Sequence, residues 1–356
     1  MKKHTRGGHF GPWLRWFATE FAERFEEVVV ITPYPNKSKQ LFCKSRPPNI
    51  RFHKLPSNLK HTLSLDDLNN KYGRSNRAYY VIMWAFDLEK LNLPSKLPPW
   101  ATFTIVSRMT RQPEIEGAEL EAHILKRLDE HPNCVGFVQS DDYIQTPSSK
   151  AVWLPDIEDV ELLDKPTEQV QKLSHFANQS LTIGCFGILT GPRCINETVE
   201  LARQNPTIQF ALVGKIRADT ISEPVQDFLD ENPNGNLYIH EGFIETEAEL
   251  NSCLNAVDCV LIDGTNYPQQ SGIASKALHF GKAIISPESN SWVSDLIQHE
   301  GAGISYKSPN YNLIQSWEEW RRKEGPARNQ ATSNQLRSAP VIQKSFDDIT
   351  RRLKNA

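Results

Sequence analysis

The sequence has no excess of basic residues. Among 356 residues, 40 lysines and arginines are balanced by 43 aspartates and glutamates, and the formal net charge is -3. Proteins that bind nucleic acid generally collect phosphates with a surplus of positive charge. The composition therefore does not favour a general nucleic-acid binder, and we expect no nucleic acid among the partners.

Cysteine is sparse and has no paired spacing. The six cysteines are scattered, and no two of them have the C-x-x-C spacing of a zinc site or a redox pair. Several lie inside apolar runs, where a free cysteine behaves as a small apolar residue. This pattern predicts reduced, buried thiols in a cytoplasmic protein.

Long apolar runs are absent as well. No run approaches the ~18 to 20 residues that a membrane-spanning helix needs, and the basic start MKKHTRGGHF has no apolar segment behind it. Aromatic side chains along residues 11–25 leave peripheral contact with the inner face of the membrane open. A core helix is the favoured interpretation, because Glu20, Glu23 and Glu26 would be repelled by anionic lipid.

Several catalytic motifs are missing. The sequence has no G-x-S-x-G elbow, no G-x-x-x-x-G-K-[ST] loop and no cluster with the spacing of metal ligands. These absences argue against serine hydrolases, P-loop enzymes and zinc hydrolases. We therefore expect no bound metal.

Short β-branched runs alternate with amphipathic stretches over most of the chain, as in a parallel sheet with crossover helices. The length suits about two domains. We predict an α/β fold with two Rossmann-like, doubly wound domains that face each other across a cleft. The predicted ranges are 1–162 for the N-terminal domain, 163–180 for a linker, 181–325 for the C-terminal domain and 326–356 for a tail that crosses back.

The N-terminal domain departs from this pattern at its start. Only MKKHTR precedes the glycine loop GGHFGPW, so we expect the first strand to be missing or replaced by a poor edge. Gly7 and Gly8 could approach a ligand, and His9 is a weak catalytic candidate. Other polar residues at strand ends could act as a general base or bind an acceptor; they are Asp87, Ser107, Arg108, Asp141, Asp142 and Asp263.

Two strand ends in the second half carry phosphate-binding features. FGILTGPRCINETVELA (186–202) is a strand, a glycine-bearing loop and a helix, with Gly187 and Arg193 near the helix start. Free backbone N–H groups and a guanidinium there favour a phosphate or diphosphate. A plain βα turn with a surface arginine is the structural alternative.

DGTNYPQQSGIASKAL (263–278) repeats this arrangement after another strand. Ser271 can cap the helix, and Gly272 lets the backbone approach a ligand closely. Lys276, about one turn in, adds a point charge. Two such loops in one domain strengthen the prediction of a ligand site at the carboxyl ends of the strands.

The two segments quoted above resemble the corresponding segments of GT-B glycosyltransferases of the family 4, or group 1, type. The resemblance is best over about 181–306, and SGIASKALHFGKAIIS matches the stretch written E-x-F-G-[x]-E-A-M-A-x-G-x-P-V-I. It implies that Arg193 takes the place of the diphosphate-binding lysine. Ser271, Gly272 and the Ile273 amide match the loop that holds the donor phosphates.

The chain also departs from the family pattern. Ile188 stands where a partner arginine is expected, and Lys276 stands where the family has the glutamate that binds ribose. The glutamate beside the sugar has no counterpart in residues 267–270. Ser107 and Arg108 occupy the strand end where many members have a histidine, which makes Arg108 a weak catalytic candidate.

The resemblance implies transfer of a sugar from a UDP- or GDP-linked donor to a glycan, lipid-linked or small-molecule acceptor, as in polysaccharide biosynthesis. It implies neither a metal nor a cofactor, because a helix dipole and cations can neutralise the leaving diphosphate. Two alternatives stay open. One is a catalytically inactive binding or scaffold protein of GT-B shape, and the other is a sugar-nucleotide epimerase.

Replacing Arg193 with alanine tests the predicted diphosphate contact. We expect nucleotide binding to weaken by ~1.5 to 3 kcal/mol, the range for a hydrogen bond to a charged group. Calorimetric titration with UDP and GDP measures this change. Unchanged affinity in the variant would reject the assignment.

Overall fold

The computed structural model of the chain describes residues 10–32, 36, 39, 42, 46–54, 80–82, 100–103, 118–139, 143, 148–155, 159–192, 194–242, 244, 246–263, 265, 270–307 and 312–356. The chain folds as two compact units. The C-terminal unit contains Glu158–Leu336, and the N-terminal unit contains Gly7–Ile157 together with Arg337–Ala356.

The N-terminal unit contains two groups of parallel strands. β1 pairs with β2, and β3, β4, β5 and β6 form a four-stranded sheet in that order. The first elements are α1 (Phe10–Ala22), β1 (Val28–Thr32), β2 (Ile50–Lys54), β3 (Tyr80–Ile82), β4 (Trp100–Phe103), α2 (Ala118–Glu130), β5 (Cys134–Gln139) and β6 (Ala151–Trp153). The run TFTIVSR (102–108) predicts a strand, and β4 begins two residues before it, directly after two prolines that lack a backbone N–H. The expected absence of a first strand concerns residues outside the described ranges.

The C-terminal unit is a doubly wound α/β fold, as predicted. Its six parallel strands have the order β12-β11-β10-β7-β8-β9. The strands are β7 (Thr182–Leu189), β8 (Gln209–Ile216), β9 (Leu237–Glu241), β10 (Cys259–Leu261), β11 (Ala283–Pro287) and β12 (Gly303–Tyr306). The helices are α3 (Glu168–Ala177), α4 (Ile195–Gln204), α5 (Glu223–Glu231), α6 (Glu247–Asn255), α7 (Gly272–His279), α8 (Trp292–Glu300), α9 (Leu313–Arg322) and α10 (Gly325–Leu336).

Burial of this sheet on both faces explains why its strands could be predicted from the sequence. Residues 210–213 of β8 are fully buried, and so are residues 259 and 260 of β10. A parallel strand covered on both faces needs a continuous apolar run instead of an alternating one. The apolar runs of the second half predict five of these strands to within one residue at each end, and the run 259–265 predicts a strand that in the structure ends earlier, at Leu261.

The C-terminal unit is larger than the predicted 181–325. Within the predicted linker, Thr167 caps α3 by accepting a hydrogen bond from the Val170 backbone, and α3 packs on α6, β8 and β9. Beyond 325, α10 packs on α7. The buried Asn329 of α10 donates hydrogen bonds to the carbonyl oxygens of Lys282 and Ala302, at 2.8 and 2.9 Å.

The last helix, α11 (Ala339–Asn355), belongs to the N-terminal unit. Phe346 is fully buried, with its ring edge-on to Phe17 and Phe21 at centroid distances of 5.2 and 5.5 Å. Ser345 donates a hydrogen bond to the Trp153 carbonyl at 2.6 Å. Phe17 and Phe21 are therefore core residues. The sequence had also left open that their side of the helix faces lipid.

Two expectations from the sequence concern buried thiols and the lack of a membrane-spanning helix. The five cysteines within the described ranges are free and buried, as predicted, and Cys43 lies outside those ranges. Burial raises the pKa of Cys134 to about 11 and that of Cys253 to about 12. In the described part of the chain, no helix is both long enough and apolar enough to cross a membrane.

Replacing Phe346 with alanine should destabilise the N-terminal unit by ~3 to 5 kcal/mol, since the variant loses buried aromatic area and leaves a cavity. Chemical denaturation measures the change. Lys344→Ala, two residues earlier on the exposed side of α11, is the matched control and should change stability by less than about 0.5 kcal/mol. Equal midpoints for the two variants would contradict the assigned packing.

Candidate functional site

The strand order of the C-terminal unit reverses between β7 and β10. From β7 the chain moves through α4 to β8 on one side, and from β10 it moves through α7 to β11 on the other. Right-handed crossovers in opposite directions place their helices on opposite faces of the sheet. The chain therefore leaves β7 and β10 toward opposite faces of the sheet, and such a switch point is the usual ligand position in these sheets. Both loops singled out in the sequence flank this switch point.

The end of β7 is shaped by two glycines. Gly187 has a φ of +102°, and a Cβ added there would have no atom of the described residues within 4 Å. Its register partner on β8 is Gly214, where an added Cβ would lie 2.0 Å from the Gly187 carbonyl oxygen. The predicted ligand-contacting Gly187 thus faces open space, held by a close approach that only glycine allows at 214.

Ile188, the residue after Gly187, stands where the resemblance expects an arginine. Ile188 is 56% exposed. Its register partner on β8 is the exposed Lys215, which sequence reasoning did not single out. Because neighbouring strands lie about 5 Å apart, a cation stands one strand away from the position where the resemblance expects an arginine.

The loop between β7 and α4 is held by hydrogen bonds within the loop and by one to Thr220. The Gly191 N–H donates to the Thr220 hydroxyl at 2.9 Å. The N–H groups of Ile195 and Asn196 donate to the carbonyls of Thr190 and Gly191, at 3.3 and 3.0 Å. The expectation of free N–H groups at this helix start was therefore wrong for these two residues, because the tight loop turns its carbonyls onto the helix. Arg193 itself lies outside the described residues.

Cys194, the residue before α4, has a strained backbone conformation. Its φ is +74°, a value that residues other than glycine rarely adopt. Its thiol is buried and lies 3.9 Å from the Leu261 carbonyl of β10. Backbone strain of this kind costs of order 1 to 3 kcal/mol and concentrates at functional sites. Nothing in the sequence signalled it.

The start of α7 has the arrangement that the sequence predicted for a helix cap. The Ser271 hydroxyl accepts from the Ala274 N–H at 3.4 Å, and the first intrahelical bond runs from the Ser275 N–H to the Ser271 carbonyl. The N–H groups of Gly272 and Ile273 precede that bond, so they have no partner inside the helix. They lie at the carboxyl edge beside the switch point.

Gln270 lies immediately before this cap and is a candidate site residue that the sequence did not single out. It is 9% exposed, and among the described residues neither its amide nitrogen nor its amide oxygen has a hydrogen-bond partner. A buried polar group without a partner costs about 1 to 3 kcal/mol. Such a donor and acceptor beside a helix start are suited to a hydroxyl group, which can both accept and donate.

Lys276 lies in a different environment from the one that its sequence position suggested. It is 2% exposed. Its ammonium donates to the Asp159 carbonyl at 2.6 Å and to Asn251 Oδ1 at 2.9 Å, and it lies 3.0 Å from Glu247 Oε2. These three acceptors match the three donors of an ammonium group. The geometry therefore directs Lys276 into the scaffold, and its contact with a phosphate stays a prediction.

Carboxylates also lie close to the switch point. Asp263, a candidate base from the sequence, is buried and accepts a hydrogen bond from the Thr265 N–H at 2.9 Å. Glu197 accepts a hydrogen bond from the Tyr306 hydroxyl at 2.6 Å. Burial, and then the hydrogen bond to Glu197, raise the pKa of Tyr306. Tyr306 therefore stays a neutral donor, and both carboxylates have partners inside the unit.

The remaining predicted site residues lie outside the described ranges. They are Gly7, Gly8, His9, Asp87, Ser107, Arg108, Asp141 and Asp142. Their roles stay predictions. Over the described ranges, the histidine, cysteine and acidic side chains form no group of three or more that could hold a metal ion.

No family model matches the chain, and no curated protein matches it. Solved structures do match. HepE from Anabaena, in complex with UDP, is 13% identical over 98% of this chain and 96% of that chain, with a TM-score of 0.67. Sucrose-phosphate synthase from Thermosynechococcus elongatus is 14% identical over 98% and 92%, with a TM-score of 0.61.

WaaG, a glycosyltransferase involved in lipopolysaccharide biosynthesis, is 13% identical over 99% of this chain and 93% of that chain, with a TM-score of 0.50. The matched proteins are GT-B glycosyltransferases. The chain has the GT-B fold. At this low identity the likeness shows the fold alone, and the predicted resemblance is confirmed at that level. The GT-B assignment covers nearly the whole chain, beyond the 181–306 segment on which the sequence resemblance was best.

Lys276→Met should destabilise the GT-B chain by ~1 to 3 kcal/mol, because it leaves the buried Asn251 Oδ1 without its donor and the partly exposed Glu247 without its partner. Denaturant unfolding measures the loss. Lys215→Met, at an exposed position on β8, is the control and should be nearly neutral. A Lys276→Met protein as stable as the control would show that these hydrogen bonds contribute little.

Proposed function

We propose that the chain is a glycosyltransferase that moves a sugar from a nucleoside diphosphate sugar bound at the carboxyl edge between β7 and β10. The observation that carries this proposal is the pair of ligand-ready strand ends on the two sides of the switch point. One is the open end of β7 at Gly187, and the other is the start of α7, where the N–H groups of Gly272 and Ile273 have no partner inside the helix. The solved structures of HepE with UDP and with UDP-glucose support uridine nucleotides as the first donors to test.

The start of α7 provides the best place for the diphosphate. The N–H groups of Gly272 and Ile273 point out of the helix end, where the aligned peptide dipoles place partial positive charge. The Ser271 hydroxyl lies at the same end and can turn toward an anion. By contrast, at the start of α4 the N–H groups of Ile195 and Asn196 already donate to carbonyl groups of the preceding loop. Its contribution depends on Arg193, which remains the predicted cation.

Sugar transfer at this site needs a stabilised leaving group. As the bond to the sugar breaks, negative charge develops on the nucleoside diphosphate. Fixed N–H groups and cations that already face that charge lower the barrier without reorganising. In our proposal these groups replace a metal ion, and no cofactor takes part. His9 and Arg108 remain the candidates for groups near the reacting sugar.

The acceptor is proposed from the resemblance alone. It is a glycan, a lipid-linked sugar or a small molecule that the N-terminal unit binds. We also propose a cytoplasmic location, with peripheral membrane contact if the acceptor is lipid-linked. Measuring turnover distinguishes this proposal from its two alternatives, the inactive binding protein and the epimerase.

Calorimetric titration with UDP and GDP tests the proposal first. We expect one of the two to bind, and we expect the matching sugar nucleotide to release nucleotide slowly by transfer to water, also in the presence of EDTA. Failure of folded protein to bind either nucleotide would overturn the proposal. Binding without any turnover would support the inactive alternative, and conversion of the donor sugar without an acceptor would support the epimerase.

Ser271→Ala locates the binding helix. We expect the affinity for the nucleotide to fall about 10-fold, since a hydrogen bond to a charged group is worth ~1.5 to 3 kcal/mol and water replaces part of it. Ser291→Ala is a matched control, because Ser291 caps α8 in the same way, accepting from the Ser294 N–H at 3.2 Å. Both variants should lose similar stability, about 1 kcal/mol. Equal nucleotide affinities in the two variants would place the diphosphate elsewhere.

A further inference from the structure

Two buried cysteines come together at the switch point, between β7, β10 and the start of α4. Cys185 lies in the middle of β7, and Cys194 is the residue before α4. Both thiols lie against the same atom, the carbonyl oxygen of Leu261 on β10, with Cys185 Sγ at 3.8 Å and Cys194 Sγ at 3.9 Å. The sequence predicted buried thiols but did not pair these two, because a strand end and a loop separate them.

The two thiols also contact each other. They are hydrogen-bonded, and this bond, followed by burial, raises the pKa of Cys185. Cys185 Sγ lies 3.2 Å from the Thr198 hydroxyl of α4 as well, so the pair joins the sheet to the helix. A disulfide has an S–S bond of about 2 Å and joins Cα atoms no more than ~7 Å apart. Hydrogen-bonded sulfurs start close to that bond, and a shift of one backbone segment completes the approach.

The segment that can shift is the start of α4. Cys185 is 1% exposed, and its strand lies between β8 and β10 in the sheet, so its position is fixed. Cys194 is 8% exposed, and its φ of +74° is a strained conformation for a residue with a side chain. Strained residues of this kind are found in switch regions, where the surrounding structure holds them. Drawing Cys194 toward Cys185 therefore moves the backbone at a position that is already under strain.

A movement of Cys194 reaches the proposed nucleotide site. Cys194 belongs to the loop that runs from the open end of β7 to α4, and Arg193, the predicted diphosphate cation, directly precedes it. The Thr190 carbonyl of the same loop accepts from the Ile195 N–H at 3.3 Å. The loop and the first residues of α4 thus move together.

We propose that Cys185 and Cys194 form a reversible disulfide in the presence of a peroxide, and that this bond weakens nucleotide binding by moving the loop between β7 and α4; the effect on binding rests on the proposed function. The pair is then a redox-sensitive switch beside the nucleotide site. In a reducing compartment such a disulfide is transient and serves as a sensor.

The reaction balances with hydrogen peroxide as the oxidant. The sulfur of Cys194, the more exposed of the two, attacks one peroxide oxygen; the O–O bond breaks, the other oxygen leaves as water, and Cys194 becomes a sulfenic acid. The Cys185 sulfur then attacks the Cys194 sulfur, and the hydroxyl leaves as water with the Cys185 proton. Two thiols lose two electrons, which the peroxide gains. A dithiol reductant reverses the bond by thiol–disulfide exchange.

Peptide mapping tests the disulfide without any nucleotide. The reduced full-length protein is treated in its native state with equimolar hydrogen peroxide, and the remaining thiols are alkylated. Trypsin cleaves between Arg193 and Cys194, so the two cysteines fall in separate peptides, 173–193 and 194–203. We expect mass spectrometry to find these peptides linked, and we expect dithiothreitol to separate them. Absence of the linked mass overturns the proposal.

Calorimetric titration of the oxidised and reduced protein measures the effect on binding. We expect the affinity for UDP, or for GDP if that is the nucleotide that binds, to fall about 10-fold on oxidation, within the usual range of coupling between two sites. Dithiothreitol should restore it. Cys185→Ser and Cys194→Ser should not respond to peroxide. Cys134→Ser, which removes a buried thiol from the N-terminal unit, is the matched control and should respond like the wild type.

Thermal unfolding checks that each variant is folded. A linked peptide with unchanged nucleotide affinity overturns the switch while the proposed function stands. So does an equal loss of affinity in peroxide-treated Cys185→Ser, which would assign the loss to oxidation elsewhere. If the reduced wild type binds neither UDP nor GDP, the proposed function fails and the effect on binding fails with it, whereas the linked peptide still decides whether the disulfide forms.

Discussion

The reversal of strand order between β7 and β10 is the constraint on which the rest of the C-terminal unit depends. Parallel strands need crossovers, and right-handed crossovers that run in opposite directions must place α4 and α7 on opposite faces. The sheet cannot close over the carboxyl ends of β7 and β10, because its two connections leave in different directions. An open edge with two diverging loops follows from topology before any side chain is considered.

Side chains then decide what this edge can bind. At β7, Gly187 leaves space, and its close approach to Gly214 fixes the backbone. At α7, Ser271 caps the helix and leaves two N–H groups without partners in the helix. The two strand ends thus contribute differently: one gives room, and the other gives donors and partial positive charge. This division of roles underlies the proposal of a nucleoside diphosphate sugar as the ligand.

A buried ammonium imposes the second strong constraint. Taking Lys276 out of water is costly, so its charge needs acceptors from the protein. Asn251, fully buried, accepts from Lys276 and donates to the carbonyls of Asp159 and Glu161, both at 2.8 Å. This network attaches the chain segment that begins at Asp159 to α6 and α7. The same lysine thereby stabilises the scaffold beneath the proposed site and orients Glu247 at its surface.

The sequence by itself determined the fold class, the strands of the C-terminal unit and the two loops at the switch point. It did so because strands buried on both faces need continuous apolar runs, and because capping residues act locally. It missed α3, whose apolar positions Val170, Leu173 and Ala177 are few and stand next to Pro166. Only the tertiary structure decided the partners of Lys276, which come from residues 25 to 117 positions earlier in the chain. Local spacing shows that a charge is present, but whether it faces a ligand or the scaffold depends on distant chain segments that only folding brings together.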